Sequence, residues 1–321
     1  MTIPVNAQTT YPTIGNREDL SDEVWKISPT ETPFFSAVEK ISTSAVNHEW
    51  QTVALDAADP ANAQLEGDTF ALLALTPTVR LGNIHQISRK VGGVSRTQRV
   101  VNSAGRSDEL GWQKLLKGQA LKIDIDTILC GVNQAKNAGN TTTARKTASV
   151  LSWIKTNTAT GGTSPADPAA ADGTGTRTDG TGTLAAFTEN RLKTVLSAIW
   201  VQGGKPNMVM TGAFNKQAFS TFTGRSTPME EAKSKKIVAA VDAYESDFGK
   251  LKVVPSRNQR ARDVLVLETA KWAVGHLPGS SMVVEELAKV SDTDQFAMVS
   301  EYVLEARNEK ASGGVFDNTS S

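Results

Sequence analysis

The sequence predicts an α+β protein built from one unusually long helix, long strands outside any compact unit, and an α/β unit in the second half. Three observations lead there. A proline-free run from Ser103 to Lys136 places Leu121, Ile125, Ile128 and Val132 at helical spacing. Two strand-like runs, 46–56 and 76–95, flank a polar, alanine-rich tip and have no adjacent apolar sequence to lie on. Between about 140 and 285, helical and strand patterns alternate within short distances.

Composition narrows the function. The 321 residues contain 34 Lys plus Arg and 34 Asp plus Glu, a formal charge of zero. A dedicated nucleic-acid binder carries a basic excess that is missing here. Aromatics are 6% of the chain, so the core should be aliphatic. A single cysteine, Cys130, rules out an internal disulfide framework and fits a reducing compartment. The first fifteen residues lack a basic segment followed by an apolar run, so no secretory leader is expected. No stretch approaches 18 apolar residues, so neither a membrane span nor a membrane partner is expected.

Residues 1–16 read as an extended polar arm. Leu20, Val24 and Ile27 then mark a short amphipathic helix, with Asn16 as candidate N-cap and Pro29 as its stop. Phe34 and Phe35 have little local cover, so they pack either on the main core or on a neighbouring subunit. The runs 46–56 and 76–95 form a long hairpin. A lone hairpin is marginal in water, so another copy of the chain is the economical cover. The helix from Ser103, its candidate N-cap, to Lys136 would be roughly 50 Å long at about 1.5 Å per residue, against a mean of roughly 11–12 residues for globular helices.

An ordered segment follows around Val150, Leu151, Trp153 and Ile154. Residues 156–183 are Gly/Thr/Ala/Asp-rich with almost nothing to bury and read as a flexible surface loop. The glycines there do not make a phosphate loop, because GxxxxGK[ST] and a preceding strand are both missing. Thr188 is a candidate N-cap for a helix whose apolar face is Leu192, Val195, Leu196 and Ile199, stopped by Gly203 and Gly204. Strands are expected at 207–211, 248–254 and 263–267, and a helix over 212–224. A long strand runs through Phe296, Met298, Tyr302, Leu304 and Ala306, and a short one through 314–316.

Catalytic and metal-binding patterns are missing. His48, His85 and His276 show no HExxH or paired spacing, and cross-strand stacking or an ion pair between hairpin strands suits His48 and His85. Cys130, flanked by Leu129 and Val132, reads as a small buried residue. Asp124 and Asp126 point to different helix faces and suit salt bridges better than acid–base work. The densest basic patch is Arg257, Arg260 and Arg262, with Lys250 and Lys252 before it. Without interleaved aromatics, a solvated or subunit-pairing face is favoured over nucleic-acid contact. The mixed charges of 301–310 suit ion pairing across interfaces. No catalytic, cofactor-binding or metal residue is assigned, and no cofactor is expected.

The segments GNREDLSDEVWKISPTETPFFSAVEK, HEWQT, TARK at Thr143–Lys146, KKIVAAVDAYESDFGKLKVVPSRNQRARDV and EYVLEARNEKASG resemble the major capsid proteins of tailed bacteriophages, the HK97-like fold, in a podovirus-type branch. The resemblance covers nearly the whole chain. It implies an N-arm at 1–45, an extended E-loop at 46–101, a P-domain spine helix at 102–137 and an A-domain at 138–285. Returning P-domain strands at 286–310 and an A-domain C-terminal strand and tail at 311–321 complete it. It further implies a non-enzymatic subunit that forms hexamers and pentamers in an icosahedral virion shell around double-stranded DNA, assembled in the bacterial cytoplasm. Scaffolding, portal and decoration proteins would be further partners, with weak inner-surface contact to DNA. Alternatives are an encapsulin-like nanocompartment shell, or an enzyme with an α/β catalytic domain at 140–285. Some members of the fold form Lys–Asn crosslinks between subunits; no residue pair is assigned to that role.

Overall fold

The computed structural model describes residues 28–69, 72, 74–101, 108–222, 243–289 and 291–320. The polar arm and the helix expected around Leu20 lie outside them. In chain order the elements are α1 (Pro33–Ala37), β1 (Glu39–Ser42), β2 (Asn47–Thr52), β3 (Val79–Ile84), β4 (Gln86–Ser95), α2 (Arg96–Val100), α3 (Glu109–Cys130), α4 (Val150–Trp153) and β5 (Thr158–Ala159). There follow α5 (Glu189–Val201), β6 (Met208–Thr211), α6 (Ala213–Ser220), β7 (Ala243–Ser246), β8 (Gly249–Pro255), β9 (Val264–Leu267), β10 (Trp272–His276), β11 (Val283–Leu287), β12 (Thr293–Ala306) and β13 (Gly313–Val315).

The described residues form three sheets. The first is organised on β12, which pairs antiparallel with β10 through 302–306, with β11 through 295–299 and with β4 through 293–302; β1 adds parallel to β10. The second runs β5-β13-β9-β6-β8-β7. The third is the two-stranded ribbon β2-β3. Strand alternation gives the second sheet two apolar faces. Met208, Met210, Leu265 and Leu267 join the core shared with α3, α4 and the first sheet, while Val209, Val264 and Val266 join the core under α5 and α6. Residues 272–285, expected in the α/β unit, therefore pair with the first sheet: Val274 sits opposite Leu304 and Val284 opposite Met298.

The long helix is shorter than its sequence pattern. It starts at Glu109, because the Asp108 carboxylate accepts the Leu110 amide at 3.1 Å and caps the first turn; Ser103 lies outside the described residues. It ends at Cys130. An ideal Cβ on Gly131 would lie 1.9 Å from the Asn258 carbonyl, so only glycine fits where the chain turns out of the helix. Lys136 instead donates its amide to Gly173 O at 2.8 Å, in the loop beyond. The 22 residues span about 33 Å. The buried face is Leu121, Ile125, Asp126, Leu129 and Cys130; Ile128 is half-buried and Val132 lies past the end.

Two loop expectations change. Residues 156–183 do have something to bury. Short antiparallel bridges join Thr163 to Thr181 and Ala166 to Thr178, and Arg177 passes inward from them to a fully enclosed position. Gly180 permits this: a Cβ there would meet the Gly161 carbonyl at 2.2 Å. The 46–101 ribbon, expected to lack cover along its length, is covered at its root. β4 belongs to the first sheet for ten residues and α3 lies across it. From 53 to 80, by contrast, every described residue is exposed.

Candidate assembly interface

The ribbon divides into a socketed root and a bare tip. At the root, alternate side chains of one segment point into the subunit. Fully buried Asn83 donates to Leu304 O at 2.7 Å and Thr147 Oγ1 at 3.0 Å, while its Oδ1 accepts the Ala148 amide at 2.9 Å. Gln86 Oε1 accepts the Gln134 side chain at 2.9 Å and the Thr147 amide at 3.2 Å. From the facing strand, the Trp50 indole donates to Ala306 O at 3.0 Å and packs 5.4 Å from Trp153. His48 Nε2 meets Glu305 at 2.6 Å. Burial acts to raise the Glu305 carboxyl, but the bonds from His48 and Arg307 hold it below its ordinary value. Buried polar groups need such partners, since leaving one unmet costs about 1–3 kcal/mol.

Beyond the root no described residue covers the apolar side chains. Leu55 is 95% exposed, Leu65 81%, Leu72 100% and Leu75 93%. Four leucines this exposed on one outlying ribbon are candidates for burial against a partner. Beside the root, an open groove of about 430 Å³ is lined by Ile87, Arg145 and residues 138–140, 143 and 144.

The charged groups singled out by sequence lie mostly in joints within the subunit. Arg260 pairs with Asp179 at 2.6 Å and Asp263 at 3.0 Å; Arg262 pairs with Asp317 at 2.6 Å. Arg260 and Arg262 are thus spent on carboxylates of the same subunit, while Arg257, Lys250 and Lys252 of the patch stay exposed. The 301–310 charges are likewise used internally: Glu301 with Arg145 at 2.8 Å, Arg307 with Glu39 at 2.7 Å. Asp124 pairs with Lys90 at 2.6 Å. Asp126 turns the other way and is buried. It accepts the Phe35 amide and the Asn258 side chain, both at 2.7 Å, and ties the 31–35 segment and the 256–260 loop to α3. Burial raises its pKa against those hydrogen bonds. Phe34 is fully enclosed in its own subunit's core, and Phe35 packs beside it. Cys130 is buried, and desolvation followed by the Asp126 charge pushes its thiol well above the ordinary value, which makes it inert.

His48 and His85 do not pair across the ribbon: His48 takes Glu305, and His85 Nε2 lies 2.9 Å from Thr43 Oγ1. Among the described residues no group of His, Cys, Asp or Glu could hold a metal ion, and no helix is long and apolar enough to cross a membrane. The sequence did not single out Asn83 or Arg177. Asn83 carries no local signal. Arg177 does carry one: it is the one large side chain in a Gly/Thr run.

A helix laid on a β12-centred sheet, an α/β unit sharing its core, and an outlying ribbon together make the fold of HK97-like capsid subunits. The capsid of a native GTA particle aligns with a TM-score of 0.63 over 98% of both chains at 11% identity. A structure from Gordonia phage Cozz aligns at 0.60 over 97% of this chain and 98% of that one, also at 11% identity. The family model of the SU10 major capsid protein matches residues 5–319, and the chain belongs to that family, whose members are structural proteins of phage capsids and not enzymes. The major capsid protein of Escherichia phage Phieco32 is 36% identical over 119 residues. That match takes in 37% of this chain and 34% of the relative, so it spans about a third of that curated relative's length.

Proposed function

We propose that identical copies of this chain assemble as hexamers and pentamers into an icosahedral virion head shell that encloses double-stranded DNA. The observation that carries this reading is the bare ribbon tip. Burying a leucine side chain contributes roughly 1.5–3 kcal/mol relative to leaving it exposed. Four leucines per ribbon therefore favour cover by a neighbour in each of many repeated contacts. In this reading the β2-β3 ribbon and its tip form the E-loop, and α3 with the first sheet forms the P-domain. The second sheet with α5 and α6 forms the A-domain, and residues 1–45 form the N-arm. The balanced charge of 34 against 34 lets copies pack side by side without strong repulsion. With Arg260 and Arg262 neutralised within the subunit, contact with packaged DNA is weak. Scaffolding, portal and decoration proteins are the further partners this reading carries.

Negative-stain microscopy of the purified chain tests it. Uniform hollow shells are expected, and a persistent monomer at high concentration overturns the proposal. DNA inside particles recovered from infected cells, as opposed to folded protein cargo, separates a phage head from a nanocompartment.

A further inference from the structure

All three histidines of the chain converge on the ribbon root. His48 comes from β2, His276 from the end of β10, and His85 is the single residue between β3, in the free ribbon, and β4, in the first sheet. His85 is fully buried. Its amide donates to Val46 O at 2.9 Å, Nε2 meets Thr43 Oγ1 at 2.9 Å, and Nδ1 is enclosed with no hydrogen-bond partner among the described residues. A neutral ring tolerates this, with Nδ1 as a bare acceptor. A protonated ring does not, because it would place an unpaired N–H and a full charge in the core.

We propose that His85 makes the ribbon root a proton-operated joint, closed while the imidazole is neutral and loosened when it takes up a proton. The surrounding charges favour this. His48, His276 and Arg145 all face His85. Lys40 on β1 adds positive charge beside His276, and Lys136 donates to Gly82 O in β3. The anions on β12 are already engaged: Glu301 by Arg145, Glu305 by His48 and Arg307. Burial first, then His48, His276 and Arg145, lower the pKa of His85 to about 4. The open root binds the proton more readily than the closed one, so closure is complete above the ordinary histidine value. It is lost as pH falls from about 6.5 toward 4. At pH 5 Glu305 still carries its charge beside His48, because His48 and Arg307 hold it below its ordinary value. Loosening therefore begins on the β3–β4 side of the root and leaves β2 anchored. The inference concerns a single subunit and holds whether or not copies assemble.

Amide hydrogen exchange of the full-length subunit between pH 7.5 and 5, corrected for intrinsic exchange, tests the joint. For one imidazole moving between these two values, opening at 79–86 rises about thirtyfold. His85→Gln keeps a partner for Thr43 and removes the proton site, so its root should stay protected at pH 5. Equal loosening in His85→Gln, or unchanged protection of the wild-type root, overturns the proposal. If that variant does not fold, NMR titration of the three wild-type histidines decides. The assigned His85 resonance must stay neutral to below pH 5, and an ordinary titration of His85 refutes the joint.

Discussion

Arg177 brings a guanidinium into the core from a loop that otherwise has little to bury. It pairs with Asp167, donates to Ile154 O at 2.9 Å and lies 3.6 Å over the Phe316 ring. Removing one member of a buried pair costs about 3–5 kcal/mol; Asp167 is 31% exposed and regains some hydration. Arg177→Met should therefore lower the stability of the unassembled subunit by about 3 kcal/mol in urea unfolding, with early proteolysis inside 156–183. Nearby, Asp263 has its carboxyl raised to about 6, by burial outweighing Arg260 and Arg177. A carboxyl with a folded pKa above its unfolded one favours the fold when protonated, so that contribution is lost as pH rises from about 4 to about 6. Asp263→Asn should flatten the stability profile across that window, measured as urea midpoints from pH 4 to 7. An unchanged slope would mean that Asp263 is not the titrating group.

Elements were legible wherever one periodic signal decided them. Leu192, Val195, Leu196 and Ile199 are all buried in α5, and β6, β8, β9 and β12 lie where their apolar runs indicated. What the sequence left hidden were contacts between distant segments. Nothing local tells that 272–276 pairs with 302–306 instead of with the α/β unit. The socket of Asn83 is equally silent, since its partners lie 64 to 221 residues away. The end of α3 is another such case. Periodicity carries the helix on to Val132, but the Asn258 carbonyl stands where a side chain at 131 would go. Gly131→Ala, a good helix former in isolation, should therefore destabilise the subunit by about 1–3 kcal/mol through overpacking. Exchange should quicken at 256–260, where the Asp126–Asn258 bond would be stretched. A stabilised variant would show that the loop yields freely.

At the scale of the molecule, the polar joints and the apolar tip do different work. Asn83, Asp126, Arg177 and Arg262 fix the subunit's shape from within, and none of them needs a second copy. Leu72 and Leu75 contribute almost nothing to the isolated subunit, because they touch solvent almost entirely. Stability and assembly should therefore separate under mutation. Leu72→Ser with Leu75→Ser should leave the thermal unfolding of the unassembled subunit within about 0.5 kcal/mol of wild type, as expected for exposed positions. Each ribbon contact should lose roughly 1.5–3 kcal/mol per leucine, and because every subunit repeats the loss, particle yield in light scattering and microscopy should collapse. Leu121→Ala, in the buried face of α3, is the converse control. It should cost about 2–5 kcal/mol of subunit stability while any folded fraction still assembles. Shells formed at wild-type yield by the double serine variant would remove the tip from the assembly reading and shift it to the second sheet's unit, where Trp200 and Phe248 stack at 5.5 Å with Trp200 57% exposed.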